Sequence, residues 1–259
     1  MATLTRSDRE FRVGSTVSRT LATWIATLPK TLPLALVALA PAFAWNWIQR
    51  ERIEFSTLES LFAQLIDTAC SVVLAGFVLF IAFKRLMREP ASLGTALQVG
   101  IRRFVPLLLV GFVTAAFVIL PILLAAVADT DGGGSLVTGS SLLLNIANAV
   151  IATMLAASTG AVVVESLGPI AAIRRSLALT KDCRKRIFLA NLLIGLVAGI
   201  LFAIATFGLS YAFELDFPAE VVVGVLVGTL TATLSAVVYH DLRALKDGVD
   251  VHELARVFA

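Results

Sequence analysis

Apolar residues run along this chain in six long blocks, 31–49, 61–83, 104–128, 140–165, 187–213 and 219–240, with short polar stretches between them. A helix that crosses a bilayer needs roughly 20 such residues, so the pattern predicts an all-α protein with six transmembrane helices. Ahead of the first, third and fifth blocks the pattern changes to helical amphipathicity. Val17, Leu21, Trp24, Ile25 and Leu28 recur at helical spacing, with Arg12, Ser15, Ser18 and Arg19 opposite; Leu93, Leu97, Ile101 and Phe104 make one face; Ile170, Ile173 and Leu177 follow Pro169, with Arg174, Arg175 and Lys181 elsewhere. An apolar face opposite a basic one describes a helix lying in the headgroup plane. The chain thus reads as three hairpins, each preceded by an interfacial helix, in pseudo-repeats at about 8–83, 90–166 and 167–245 within a single membrane domain, 1–259. Such units can come from duplication, as in transporters, or from the few solutions a bilayer permits. A last amphipathic helix is expected over 250–258, with Asp250 and Glu253 as a capping box.

Composition agrees: 58% of the residues are hydrophobic and 15% charged, against about 25% charged in soluble domains. The polar start MATLTRSDRE lacks the apolar stretch of a signal peptide, so the chain is expected to be kept whole. Lys and Arg gather before block one, between blocks two and three, between blocks four and five, and after block six; the other connections hold only Arg50 and Arg52. By the positive-inside rule both termini are expected in the cytoplasm. The net charge of +3 then points to anionic lipid headgroups on that side as partners, not to nucleic acid.

Small residues recur at steps of four in the last three blocks: Asn148, Ala152, Ala156 and Gly160; Asn191, Gly195, Gly199 and Ala203; Gly224, Gly228, Ala232 and Ala236. Such stripes let helix backbones approach closely, which predicts a tight core of blocks four to six, or a homo-oligomer through one stripe. At membrane depth Asp67 is the only strong candidate for a transport residue, and it lies about a turn inside the outer boundary. No block buries a Lys, Arg or His, which weighs against ion-coupled transport.

Catalytic patterns are missing. There is no H-E-x-x-H, C-x-x-C, G-x-S-x-G or P-loop, and DGGGS at 131–135 has no following Lys-Ser/Thr. Cys70 and Cys183 suggest neither a disulfide nor a metal site, and no cofactor is implied. His240 and Asp241 are adjacent on a helix, about 100° apart, and are not expected to face each other.

An early FRVG segment, E-x-x-G-P-x-x-A-I-x-R-S from Glu165 to Ser176, and Y-x-D-L-R from Tyr239 to Arg243 together resemble the bacterial membrane domain found attached to glycerophosphodiester phosphodiesterases. The resemblance extends over essentially the whole chain, with His240 where the pattern has a second tyrosine. The catalytic barrel of those enzymes is absent, so the resemblance implies the membrane half without the phosphodiesterase.

Glu165 and Asp241 end blocks four and six at the inner boundary. They are expected to pair with Arg174, Arg175 or Arg243, beside Tyr239, clamping the third interfacial helix or holding a lipid phosphate. The expected function is a non-enzymatic membrane scaffold or lipid-surface module. The alternative is a transporter or lipid-handling protein with a pathway between the repeats, near Asn145, Asn148 and Asn191.

Overall fold

The computed structural model describes residues 11–49, 57–90, 92–113, 116, 149–211 and 216–247. These residues are helical throughout: α1 Val13–Gln49, α2 Thr57–Leu86, α3 Leu93–Arg102, α4 Phe104–Val113, α5 Ala149–Val164, α6 Pro169–Thr180, α7 Arg184–Ala205 continued by a π-helical turn Thr206–Tyr211, and α8 Asp216–Asp247. Among the described residues four helices are long and apolar enough to cross a membrane, and the α3–α4 pair, bent by 63°, makes a fifth if counted as one span. The rest of blocks three and four, and the expected helix 250–258, lie outside the described residues.

The first amphipathic segment is not a separate interfacial helix. It runs without interruption into the first apolar block as α1, 37 residues or about 55 Å at 1.5 Å per residue, well beyond the ~30 Å hydrocarbon core. The first repeat therefore differs from the other two. The side of α1 that packs also differs from the apolar face read in the sequence. Thr16, Thr20, Thr23, Thr27 and Thr31 are buried, followed by Ala35, Ala38 and Ala42, while Ile25 is exposed. Thr20, Thr27 and Thr31 donate their hydroxyls to the carbonyls of Thr16, Thr23 and Thr27. With the hydroxyl satisfied one turn back, each threonine offers its neighbour a short side chain with a methyl group.

The second amphipathic segment does form its own helix. Ser92 caps α3 by accepting from the Thr95 N–H at 3.1 Å. Ala96 and Gly100 are buried, and a Cβ on Gly100 would fall on the ring of Phe77 in α2. Leu93, Leu97 and Ile101 face outward, as their spacing predicts. The third segment is α6, with Pro169 in its first turn. Ile170 is exposed there, and the buried side is Ala172, Ser176, Leu179 and Thr180.

The central bundle is α1, α2 and α8, and not blocks four to six; α7 packs onto α8 and α1. Gly224 and Gly228 do pack, but against Phe43 of α1 and Leu74 of α2. Gly160 lies directly against Tyr239 of α8. A Cβ on Gly195 or Gly199 would meet no described residue within 4 Å: α7 turns Ile187, Ala190, Ile194 and Ala198 inward, and its glycine stripe is exposed. Ala152 is exposed and Ala156 half-buried.

α2 ends in a Schellman motif. The N–H of Glu89 returns to the carbonyl of Lys84 and that of Arg88 to Arg85, and Arg88 is left-handed, at φ 59. That position favours glycine; a side chain there costs roughly 1–2 kcal/mol.

Candidate functional site

Helix periodicity divides the segment YHDLRALKD between two sides of α8. Tyr239, Arg243 and Asp247 stand at steps of four and share one face, whereas Asp241 is about 200° around the helix from Tyr239. Two charge networks follow at this end of the bundle.

The first centres on Glu165, which ends α5. Its Oε1 accepts the Tyr239 hydroxyl at 2.5 Å, and Arg175 of α6 donates to both its oxygens at 3.2 Å. Arg175 Nη2 also reaches Asp247 Oδ2 at 2.5 Å, and Arg243 Nε lies 3.8 Å from the same oxygen. Burial alone would lower the pKa of Arg175, but Asp247 and Glu165 hold it above its ordinary value. Tyr239 is fully buried, its ring 5.9 Å from that of Phe83.

The second network holds Asp241. Arg19 Nη1 meets Oδ1 at 2.5 Å and Thr16 Oγ1 donates to Oδ2 at 2.9 Å, so α1 closes this side. His240 Nδ1 lies 3.4 Å from Asp241 Oδ1. The neighbours thus do approach, against expectation, at the long limit of a hydrogen bond. Glu165, Arg175, Arg243 and Tyr239 come together as predicted; Asp241 does not join them, and Arg174 is exposed away from both networks. Asp247, Arg19 and Thr16 lie outside the cluster that the sequence predicts. The step-of-four spacing from Tyr239 marks Asp247; nothing in the sequence alone marks Arg19 over its basic neighbours.

Further contacts tie the remaining basic segments to the same end. Lys246 pairs with Asp182, on the α6–α7 turn, and its hydrogen bond lowers the Asp182 pKa. Arg103 donates to the Ser166 carbonyl and Arg186 to that of Phe11, each at 3.4 Å. Burial pushes the Cys183 thiol up, which keeps it protonated and a poor ligand. Among the described residues no group of three His, Cys, Asp or Glu side chains is placed to hold a metal ion.

Ser176, the last residue of the E-x-x-G-P-x-x-A-I-x-R-S stretch, has a role that its position in a motif does not reveal. α5 breaks at Ala156 and Ala157, which frees backbone groups that lipid cannot satisfy. Ser176 Oγ accepts from the Ala157 N–H at 3.2 Å and donates to the Met154 carbonyl at 2.8 Å; Thr180 also reaches that carbonyl, at 3.4 Å. Ser176→Ala is expected to lower stability by about 1–2 kcal/mol, since it orphans a buried N–H while Thr180 still serves the carbonyl. Chemical denaturation in detergent measures this, and an unchanged midpoint would remove Ser176 from that role.

Beside the break lies a cavity of ≈ 190 Å³ between α2, α4, α5 and α8, with Ser158, Thr159 and Ser235 among its walls. Asn145 and Asn148 lie outside the described residues, and Asn191 does not line the cavity.

No protein-family model, curated protein or solved structure matches this chain.

Proposed function

We propose that this chain is a non-enzymatic, six-span protein of a bacterial inner membrane, with both termini cytoplasmic, that presents a braced amphipathic surface to anionic phospholipid headgroups. One observation carries this reading. α3 is turned 63° from α4, and its Leu93, Leu97 and Ile101 are exposed among the described residues. A helix set across the end of a bundle, apolar side outward, suits the boundary between headgroups and acyl chains. The ion pairs of Glu165, Asp241 and Asp247 support the same reading, because they brace α1, α6 and α8 against one another at that end. The resemblance to the phosphodiesterase membrane domain is consistent with it.

The cavity beside the α5 break favours a second reading, lipid handling, because it sets hydroxyls at membrane depth. Proteoliposomes that carry a fluorescent phospholipid separate the two. A module that only contacts lipid leaves leaflet exchange at the rate of protein-free vesicles. Exchange that rises with protein content overturns the first reading in favour of the second.

Orientation has its own test. Single cysteines at Ser135, in the predicted outer connection, and at exposed Lys181, in a background without Cys70 and Cys183, are expected to differ on intact cells. An impermeant maleimide should label position 135 and spare 181; the reverse pattern inverts the topology.

A further inference from the structure

A cleft of ≈ 540 Å³ lies between α1 and the C-terminal end of α2, lined by Ala26, Thr27, Lys30, Ile81, Arg85, Arg88, Glu89 and Pro90. It belongs to neither charge network. Its acid, Glu89, is paired with Lys84. Among the described residues, Lys30, Arg85 and Arg88 have no side-chain hydrogen-bond or ion-pair partner, and all three are exposed. Three cations from two helices and a turn thus converge on one space with no anion left for them.

Cations at a helix C-terminus gain from its dipole without any ligand. That accounts for Arg85. It does not account for Lys30, which is on another helix. It accounts poorly for Arg88, since the dipole gain is smaller than the cost of a left-handed arginine where glycine would be free of strain. Backbone strain kept at a charged cleft is a pointer to function.

The level of the cleft identifies the anion. Seventeen residues separate Lys30 from Trp47, which is exposed near the other end of α1; that is about 25 Å of helix. With Trp47 at the outer interface, Lys30 falls within a turn or so of the inner boundary of a ~30 Å core. The volume suits a headgroup, and Ala26, Ile81 and Pro90 offer apolar wall beside the charges. The carbonyl end of α2 opposes an anion with about half a charge, which three unpaired cations exceed.

We propose that this cleft binds the phosphate group of an anionic phospholipid through Lys30, Arg85 and Arg88. The site rests on the lipid-surface reading above and gives it an address.

The test is native mass spectrometry of the full chain in detergent, titrated with short-chain phosphatidylglycerol, with phosphatidylcholine and inorganic phosphate as separate arms. Wild-type protein should hold one phosphatidylglycerol in preference to phosphatidylcholine. Arg88→Gly, and Lys30→Gln with Arg85→Gln, should each weaken it about tenfold or more, the loss of one strong charge-assisted contact. Arg88→Gly should do so without lowering the Tm, because glycine relieves the left-handed turn. Lys185→Gln removes an exposed charge elsewhere on the same end and should leave binding unchanged. Wild-type affinity in Arg88→Gly, or an equal loss in Lys185→Gln, overturns the site but leaves the lipid-surface reading standing. Displacement of the lipid by millimolar inorganic phosphate would make it a site for a soluble anion and overturn the lipid assignment. No preference for phosphatidylglycerol in the wild type would sink the site and the wider reading together.

Discussion

Leucine at Gly160 is expected to cost about 3 kcal/mol or more of stability, at the upper end of overpacking penalties, and alanine there about 1–3 kcal/mol. A Cβ at this position would fall onto the ring of Tyr239. Whether a neighbour can yield decides the cost, and Tyr239 is held from both ends: its hydroxyl is bound by Glu165 and its ring lies against Phe83. Gly228→Leu should also destabilise, since even a Cβ there would come within 2.8 Å of the Leu74 Cδ2, and Leu74 is itself buried. Gly199→Leu should stay within about 0.5 kcal/mol, because a Cβ there would meet no described residue within 4 Å. Ala198→Leu, on the buried side, should be the worse of that pair. Thermal unfolding of the variants in one detergent checks the order, and a Gly199→Leu loss equal to that of Gly160→Leu would overturn this packing.

The reversal on α7 shows what the sequence leaves open. Gly195 and Gly199 stand at a step of four, and so do Ala190, Ile194 and Ala198 one position earlier. In water the side of a helix that packs is the apolar one. In lipid both sides are apolar, so hydropathy cannot choose between two adjacent stripes, and small size points equally to a protein contact or to a lipid-facing groove. The threonine seam of α1 was hidden for a related reason. Threonine reads as polar, so the pattern marks Val17, Leu21 and Trp24 as the apolar face of a helix in the headgroup plane and passes over the threonines. Once Thr20 and Thr27 close their hydroxyls onto their own helix, their small size governs how near a neighbour comes. These three apolar residues do pack against the core as well, only less deeply, so the α1 interface is wider than the stripe that hydropathy marked. Where polarity and pattern coincided, as in Leu93, Leu97 and Ile101 of α3, the reading and the structure agree.

The charged end of α8 was legible to the extent that helix geometry was applied to it. Four of the six predicted members meet; Arg174 is exposed apart from them, and Asp241 is near them in sequence only, since a turn of 200° sends it to α1. That distinction has a measurable consequence. Glu165→Gln and Arg175→Gln should each cost about 2 kcal/mol, the range for hydrogen bonds to charged groups. The value stays below the 3–5 kcal/mol of a fully buried pair, because the two side chains keep 18% and 30% of their exposure. In the first variant Arg175 retains Asp247; in the second Glu165 retains Tyr239. The double variant should therefore lose about 1 kcal/mol or more less than the sum of the two. Asp241→Asn combined with Arg175→Gln should instead be additive to about 0.5 kcal/mol, since Asp241 answers to Arg19 and Thr16 and shares no partner with Arg175. Denaturant midpoints of the wild type, the three single variants and the two double variants measure both couplings. Additivity in the first cycle would mean that Glu165 and Arg175 are neighbours without being partners, and coupling in the second would merge the two networks into the single cluster that their nearness in sequence suggests.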